Sequence, residues 1–295
     1  MLLPIRLLKG SWPRPLERWF SRFVWSDPLV ILRDDVSEED FRAAMSAIHV
    51  GDTIKITGRD RHPVADDLLI ENVELSGATI VDIGASDGST SVDLIRKLDD
   101  FARYIMADLF FEIDVVEVGR HSVFFDNDGN WILTVGHRIL AWPADSALVR
   151  LVFGRSERRA RRPGMPQKRA LLLGPAAREL MRRDQRINYR VHDIFTPWDG
   201  PAPTVVKVAN LLRRLYFSDE VIVSALQTLL GSLTEGAYLL IVDNSRIPGM
   251  GPRAGLYQRD DGKFTMIAET PDRPEIADLV GRAQLTVFPL DEPQP

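Results

Sequence analysis

Hydrophobic and polar positions change rhythm along this chain. From about residue 77, short β-branched runs alternate with stretches of helical spacing. Ala78–Gly84 (ATIVDIG) is an apolar run that ends at a glycine, and STSVDLIRKL follows it with apolar residues three and four apart. RYIMADLF, Tyr189–Phe195, Thr204–Leu212 and Gly236–Asn244 are further strand candidates, with a helix predicted at EVIVSALQTLLGSL. Strands this apolar, separated by helices, predict an α/β fold with a doubly wound, mostly parallel sheet covered on both faces. Asp261-Gly262 marks the turn of a hairpin in GLYQRDDGKFTMIAE, followed by a helix at PEIADLVGR and a last strand at AQLTVF.

Two regions depart from this alternation. Residues 1–76 read as a helical N-terminal region, with Ser37 and Asp40 forming a capping box and a second helix at VADDLLIENVEL. Residues 77–295 form the main domain, with an insertion at about 110–170. There the Asp126-Asn127-Asp128-Gly129 turn joins two β-rich arms, which predicts a β-hairpin followed by an arginine-rich loop and a helix at PAARELMRRD. Such insertions commonly shape a substrate site. The apolar arms suit either pairing with another chain, as in a homodimer, or a lid.

Composition narrows the chemistry. The chain has 295 residues and no cysteine, so disulfides, thiolate metal sites and cysteine nucleophiles are excluded, and a reducing, cytoplasmic setting is the expectation. A net charge of −5 speaks against nucleic acid as a partner. Positive charge is concentrated between Arg155 and Arg169, which reads as a solvated loop or as a grip on an anionic partner. No apolar run is long enough to span a bilayer. Trp12, Trp19, Phe20 and Trp25 are expected to pack on the main domain, with peripheral membrane contact as the other reading. No metal-ligand spacing is present, and Asp126–Asp128 reads as a turn.

The strongest chemical signal is Asp82-Ile83-Gly84-Ala85-Ser86-Asp87-Gly88, at the point where a buried strand turns into a helix. Glycine there permits positive φ and close approach of a ligand to the backbone. The spacing D-x-G-x-x-x-G lacks the G-x-G of a dinucleotide site, which counts against a nicotinamide enzyme, and lacks the Lys-Ser/Thr of a phosphate loop. Asp108 ends the next strand, where a carboxylate can accept hydrogen bonds from both hydroxyls of a ribose. Asp193 ends the third strand and Asn210 the fourth.

This ordered set resembles class I S-adenosylmethionine-dependent methyltransferases. The resemblance implies that S-adenosylmethionine is the cofactor. Its methionine part would lie over Asp82, Gly84, Ala85, Ser86 and Gly88, and its ribose would meet Asp108 beside Leu109. Adenine would meet Asp193 and pack on Ile194. Asn210 would contact the cofactor or orient the acceptor, and it and His192 are the candidates for a catalytic role. The run Asn210-Leu211-Leu212 with Tyr216-Phe217 is also similar to a segment of chemotaxis-receptor methyltransferases, with changed spacing. Methyl transfer to a small-molecule or metabolite acceptor is the reading the resemblance supports best. A protein-modifying methyltransferase is the first alternative. The second is a non-catalytic scaffold that holds an anionic partner through its arginine-rich loop. In-line alignment can supply much of the acceleration, so an acid–base residue is optional.

Overall fold

A computed structural model describes residues 4–50, 53–54, 61–144, 146–244 and 251–285. The chain begins with β1 (Ile5–Leu8), α1 (Arg14–Trp19), β2 (Val24–Trp25) and α2 (Glu38–Met45). The short pair β3 (His49–Val50) and β4 (Thr53–Ile54) precedes α3 (Pro63–Asn72). Then come β5 (Thr79–Ile83), α4 (Ser89–Ile95) and β6 (Arg103–Asp108). The insertion supplies β7 (Glu112–Val118), β8 (His121–Phe125), β9 (Trp131–Val135), β10 (Ile139–Ala141), α5 (Ala147–Ala160) and β11 (Gln167–Leu171). After it follow α6 (Pro175–Arg183), β12 (Ile187–Val191), β13 (Val205–Ala209), α7 (Asp219–Ser232) and β14 (Tyr238–Asn244). The hairpin strands β15 (Pro252–Asp260) and β16 (Lys263–Glu269) and a short α8 (Ala277–Val280) complete the described elements.

Two compact units emerge. One contains Met1–Thr57, Ser86–Ser89 and Phe110–Arg182; the other contains Gly58–Ala85, Thr90–Leu109 and Arg183–Pro295. The division does not fall at residue 76. It assigns α3 to the second unit and the first 57 residues to the unit that holds the insertion.

The second unit is the expected doubly wound α/β sheet, in the order β12-β6-β5-β13-β14-β15-β16. The first five strands are parallel, and β15 and β16 add an antiparallel hairpin. The hairpin turns on Asp261 and Gly262, both at positive φ, as a two-residue turn requires. Alternate strand residues feed two faces. Val81, Ile83, Val206, Val208, Leu239 and Ile241 pack under α7 and α8. Asp82, Tyr104 and Lys207 lie on the other face, where Ser91 of α4 and Asp66 of α3 meet them. From β5 the chain winds outward through β6 to β12, then returns to β13 on the other side of β5. The winding thus reverses between β5 and β13, and open α/β sheets bind ligands at the carboxyl ends of strands at such a point.

The first unit corrects the reading of the insertion. The single hairpin is a four-stranded meander, β7 to β10, inside a seven-stranded sheet of order β11-β7-β8-β9-β10-β1-β2. Gly119-Arg120 supplies a second tight turn, between β7 and β8, that was hidden by the stronger Asp126–Gly129 signal. At that stronger turn Asp126 accepts from Asp128 N and Asn130 N. The arginine-rich loop is largely ordered as well. Arg155, Arg158 and Arg159 belong to α5, and Lys168 and Arg169 to β11. Ser146 caps α5, whose Val149, Phe153 and Ala160 are buried. The other face of the sheet packs on Phe41, Ala44 and Met45 of α2. Trp25 meets Trp142 edge-on at 5.4 Å, but Trp19, expected to pack, is 85% exposed. No helix among the described residues is long and apolar enough to cross a membrane. Of the predicted last strand, Gln284 bridges to Lys263, and residues from 286 lie outside the described residues.

Candidate functional site

The turn after β5 is built on Gly84. Its φ of 81° places it in the left-handed region. Both Gly84 N and Ala85 N donate to Ala107 O, at 2.8 and 3.1 Å, which ties the turn to the end of β6. A methyl group on Gly84 would come within 3.1 Å of Leu211 Cδ2, so glycine here also lets the chain after β13 approach closely. Ser86 and Gly88 continue the turn at φ of 56° and 77°. Within the first unit Asp87 Oδ1 accepts from Ser89 N at 3.0 Å, and Asp87 O accepts from Gly174 N.

Asp82 lies below this turn rather than on its surface. It is buried, and its Oδ2 accepts from Ser91 Oγ at 2.8 Å and from Tyr104 OH at 3.0 Å. Its register partner on β13 is Lys207, whose ammonium pairs with Asp66. Burial disfavours the Lys207 charge, but Asp82 and Asp66 together outweigh it and hold the ammonium above its ordinary range. Burial pushes the Tyr104 hydroxyl well up, and the neighbouring Asp82 carboxylate adds to the effect. Asp82 therefore acts on the site through the strand and helix that it joins.

Asp108 stands at the end of β6, adjacent to the Gly84 turn because β5 and β6 are paired neighbours. Its carbonyl accepts from His192 N at 3.1 Å, which joins it to the end of β12. Leu109, the next residue, is exposed. Asp193 uses Oδ1 to accept from Phe195 N at 3.0 Å and so closes its own turn. Ile194 is buried in the core beneath the sheet. The apolar surface nearby is instead Phe195, exposed and edge-on to Phe217 at 5.3 Å. With strands about 4.8 Å apart, the ends of β12, β6, β5 and β13 bring Asp193, Asp108, Gly84 and Asn210 into one row.

Asn210 is the most constrained member of that row. Its φ is 57°, a conformation that asparagine tolerates better than most side chains. Its Oδ1 accepts from Asn244 N at 2.7 Å, and its Nδ2 donates to Asn244 Oδ1 at 3.0 Å. The same Nδ2 lies 3.1 Å from His62 Nε2. Because the Asn210 oxygen is taken by a backbone N–H, the amide nitrogen faces the ring and Nε2 is the acceptor. His62 therefore carries its proton on Nδ1, which is buried and has no partner among the described residues. Burial, reinforced by Lys207 and Arg61, lowers its pKa to about 3, so the ring stays neutral.

His192, the histidine singled out by sequence, packs edge-on against Trp198 at 4.9 Å, and burial lowers its pKa. His62 and Asn244 were missed. His62 precedes Pro63 at the first turn of α3, and an N-terminal helix gave no reason to look toward the sheet edge. Asn244 closes the strand motif Gly236–Asn244 and could have been singled out as the terminal polar residue of an apolar strand. Among the described residues no group of three or more His, Asp or Glu gathers to hold a metal ion.

No family model matches the chain, and no curated protein matches it. Solved structures similar to it include the N-methyltransferase NodS from Bradyrhizobium japonicum in complex with S-adenosylhomocysteine. That match has 14% identity and a TM-score of 0.32, covering 62% of this chain and 60% of that one. Phosphoethanolamine N-methyltransferase 1 of Haemonchus contortus matches at 13% identity and a TM-score of 0.34, covering 71% of this chain and 30% of that one. A putative S-adenosylmethionine-dependent methyltransferase from Methanococcus maripaludis matches at 12% identity and a TM-score of 0.32, covering 62% and 55%. The chain thus spans 60% or less of the length of these three. Likeness this distant assigns neither family nor activity.

Proposed function

We propose that the chain binds S-adenosylmethionine at the carboxyl edge of the β12–β14 sheet and directs its methyl group to a small-molecule acceptor. The observation that carries this reading is the position of Gly84 and Asn210, both at positive φ, just past the ends of the two paired strands between which the winding reverses. The residues present fit the cofactor by their chemistry. Asp108 supplies a carboxylate for the ribose hydroxyls, the Gly84–Ala85 turn supplies close backbone approach, and Phe195 supplies an apolar face toward the adenine side. The cofactor, when bound, brings a methyl group on a charged sulfur that is already a reactive donor.

The chain's own part is to bind and orient. His62 and Asn210 form a polar corner at the β13 edge, and the unsatisfied Nδ1–H of His62 is a donor that seeks an acceptor oxygen. A buried donor suits a small ligand that enters the site better than a segment of protein surface. In this reading His62 and Asn210 hold the acceptor in line with the methyl group, which is where most of the acceleration arises.

Calorimetric titration with S-adenosylhomocysteine tests the reading. Saturable binding that Asp108→Ala weakens, with the fold intact, supports it. No heat of binding at millimolar ligand rejects it.

A further inference from the structure

The outer face of α5 takes no part in the proposed cofactor site. Its buried stripe is Val149, Phe153 and Ala160, which pack against the β7–β10 sheet. Opposite that stripe, Leu148, Leu151 and Val152 are 60%, 79% and 60% exposed. Arg155 and Arg159 continue the same line at helical spacing, and Arg158 and Arg162 flank it, all four exposed. The guanidinium groups of Arg155, Arg159 and Arg162 have no side-chain partner among the described residues. The one acid of the helix, Glu157, is already paired with Arg161. A cleft of about 570 Å³ opens where α5 ends, with Phe125, Met165, Arg161 and Arg162 among its walls.

We infer that this face of α5 is a docking surface for an anionic lipid bilayer. Three adjacent aliphatic side chains held in water are unfavourable unless something covers them. The charge beside them selects the occupant. A second copy of the chain would bring like charges together. A nucleic acid would satisfy the arginines but leave Leu148, Leu151 and Val152 without an apolar environment. A bilayer with acidic headgroups satisfies both halves. The aliphatic end enters the boundary between headgroups and acyl chains, and the arginine end lies along the phosphates.

Co-sedimentation with vesicles tests this. The full chain is expected to pellet with phosphatidylcholine–phosphatidylglycerol vesicles and to stay in solution with phosphatidylcholine alone. Each arginine neutralised should weaken partition about five-fold, so Arg155→Gln with Arg159→Gln should cost about 25-fold. Leu151→Ser should weaken it by roughly ten-fold. These side chains are exposed, so thermal melting should be unchanged and serves as the control for folding. A salt titration of the wild type needs no variant and should release it from acidic vesicles. Equal binding to neutral vesicles, or no binding to acidic ones, overturns the inference. Arginine dependence without any effect of Leu151→Ser would mark a polyanion site such as one for nucleic acid, and overturns it too.

Discussion

Lys207 and Asp66 form an ion pair of 2.9 Å in which the two side chains are 0% and 2% exposed. The pair belongs to a larger cluster in which one ammonium faces two carboxylates, because Asp82 as well as Asp66 attracts the Lys207 charge. Burial raises the Asp66 carboxyl above its ordinary range despite the attraction of Lys207. The cluster makes the two partners unequal. Lys207→Met leaves Asp66 and Asp82 buried without a cation and is expected to cost about 3–5 kcal/mol. Asp66→Asn leaves Lys207 beside Asp82 and should cost clearly less. Both pKa values are raised, so both groups lose stability as pH rises, each through its own range. A raised pKa on Asp66 contributes stability below the ordinary carboxylate range that is lost as pH rises through the raised value, and the asparagine variant should lack that loss. Urea unfolding of both variants at neutral and acidic pH decides this. Equal costs at neutral pH would contradict the cluster.

Gly84 should be intolerant of any side chain, for two separable reasons. The left-handed backbone disfavours an L-residue by about 1–2 kcal/mol. The added methyl group would also crowd Leu211 at 3.1 Å. Gly84→Ala is expected to destabilise by about 2 kcal/mol or more. Combining it with Leu211→Ala should remove the crowding but not the backbone cost, so the double variant loses less than the sum of the two singles. Additive losses in a double-mutant cycle would show that Gly84 and Leu211 do not touch.

The parallel sheet was legible because β5, β6, β13 and β14 are buried on both faces, which leaves uninterrupted apolar runs in the sequence. The first unit was harder to read for a matching reason. Its strand β1 joins β10 from more than a hundred residues away, with β2 paired beyond it, and no local periodicity encodes such a pairing. The basic stretch misled because arginine marks solvent exposure, not loop, and α5 exposes one face while burying another. At the site, Gly84, Asp108 and Asn210 were legible as punctuation at strand ends. The burial of Asp82 and Ile194 was not, since the side to which each points depends on how the sheet is covered. His62 was invisible because its partner Asn210 lies 148 residues away.

Asp108 and Asp193 should differ in their effect on S-adenosylhomocysteine binding. Asp108 is proposed to accept from both ribose hydroxyls, whereas Asp193 would meet the single adenine amino group and also holds its own turn through the Phe195 N–H. Asp108→Ala is expected to weaken binding by roughly ten- to a hundred-fold, the value of hydrogen bonds to a charged group. Asp193→Ala should weaken it less and should also loosen the turn before Trp198. Calorimetry alongside thermal melting separates the two effects. A larger affinity loss from Asp193→Ala would move the ribose away from Asp108.

His62 should give the fold an acid-sensitive element. Its pKa in the folded chain is about 3, against 6.5 when unfolded, because burial and the charges of Lys207 and Arg61 oppose a second proton. The unfolded chain therefore binds the proton first as pH falls. A lowered histidine pKa contributes stability that is present above 6.5 and is lost progressively as pH falls toward 3. The slope attributable to one such group is at most about 1.4 kcal/mol per pH unit. His62→Gln keeps an acceptor for Asn210 Nδ2 and removes the titration. Its stability at neutral pH can drop, but its decline between neutral pH and about pH 4 should be shallower than the wild type's by up to that slope. Chemical denaturation across that range measures the difference directly, and carboxylates common to both proteins cancel from it. Parallel curves for wild type and His62→Gln would mean that His62 reaches water and accepts its proton at the ordinary pH, which would undo the buried polar corner at the β13 edge.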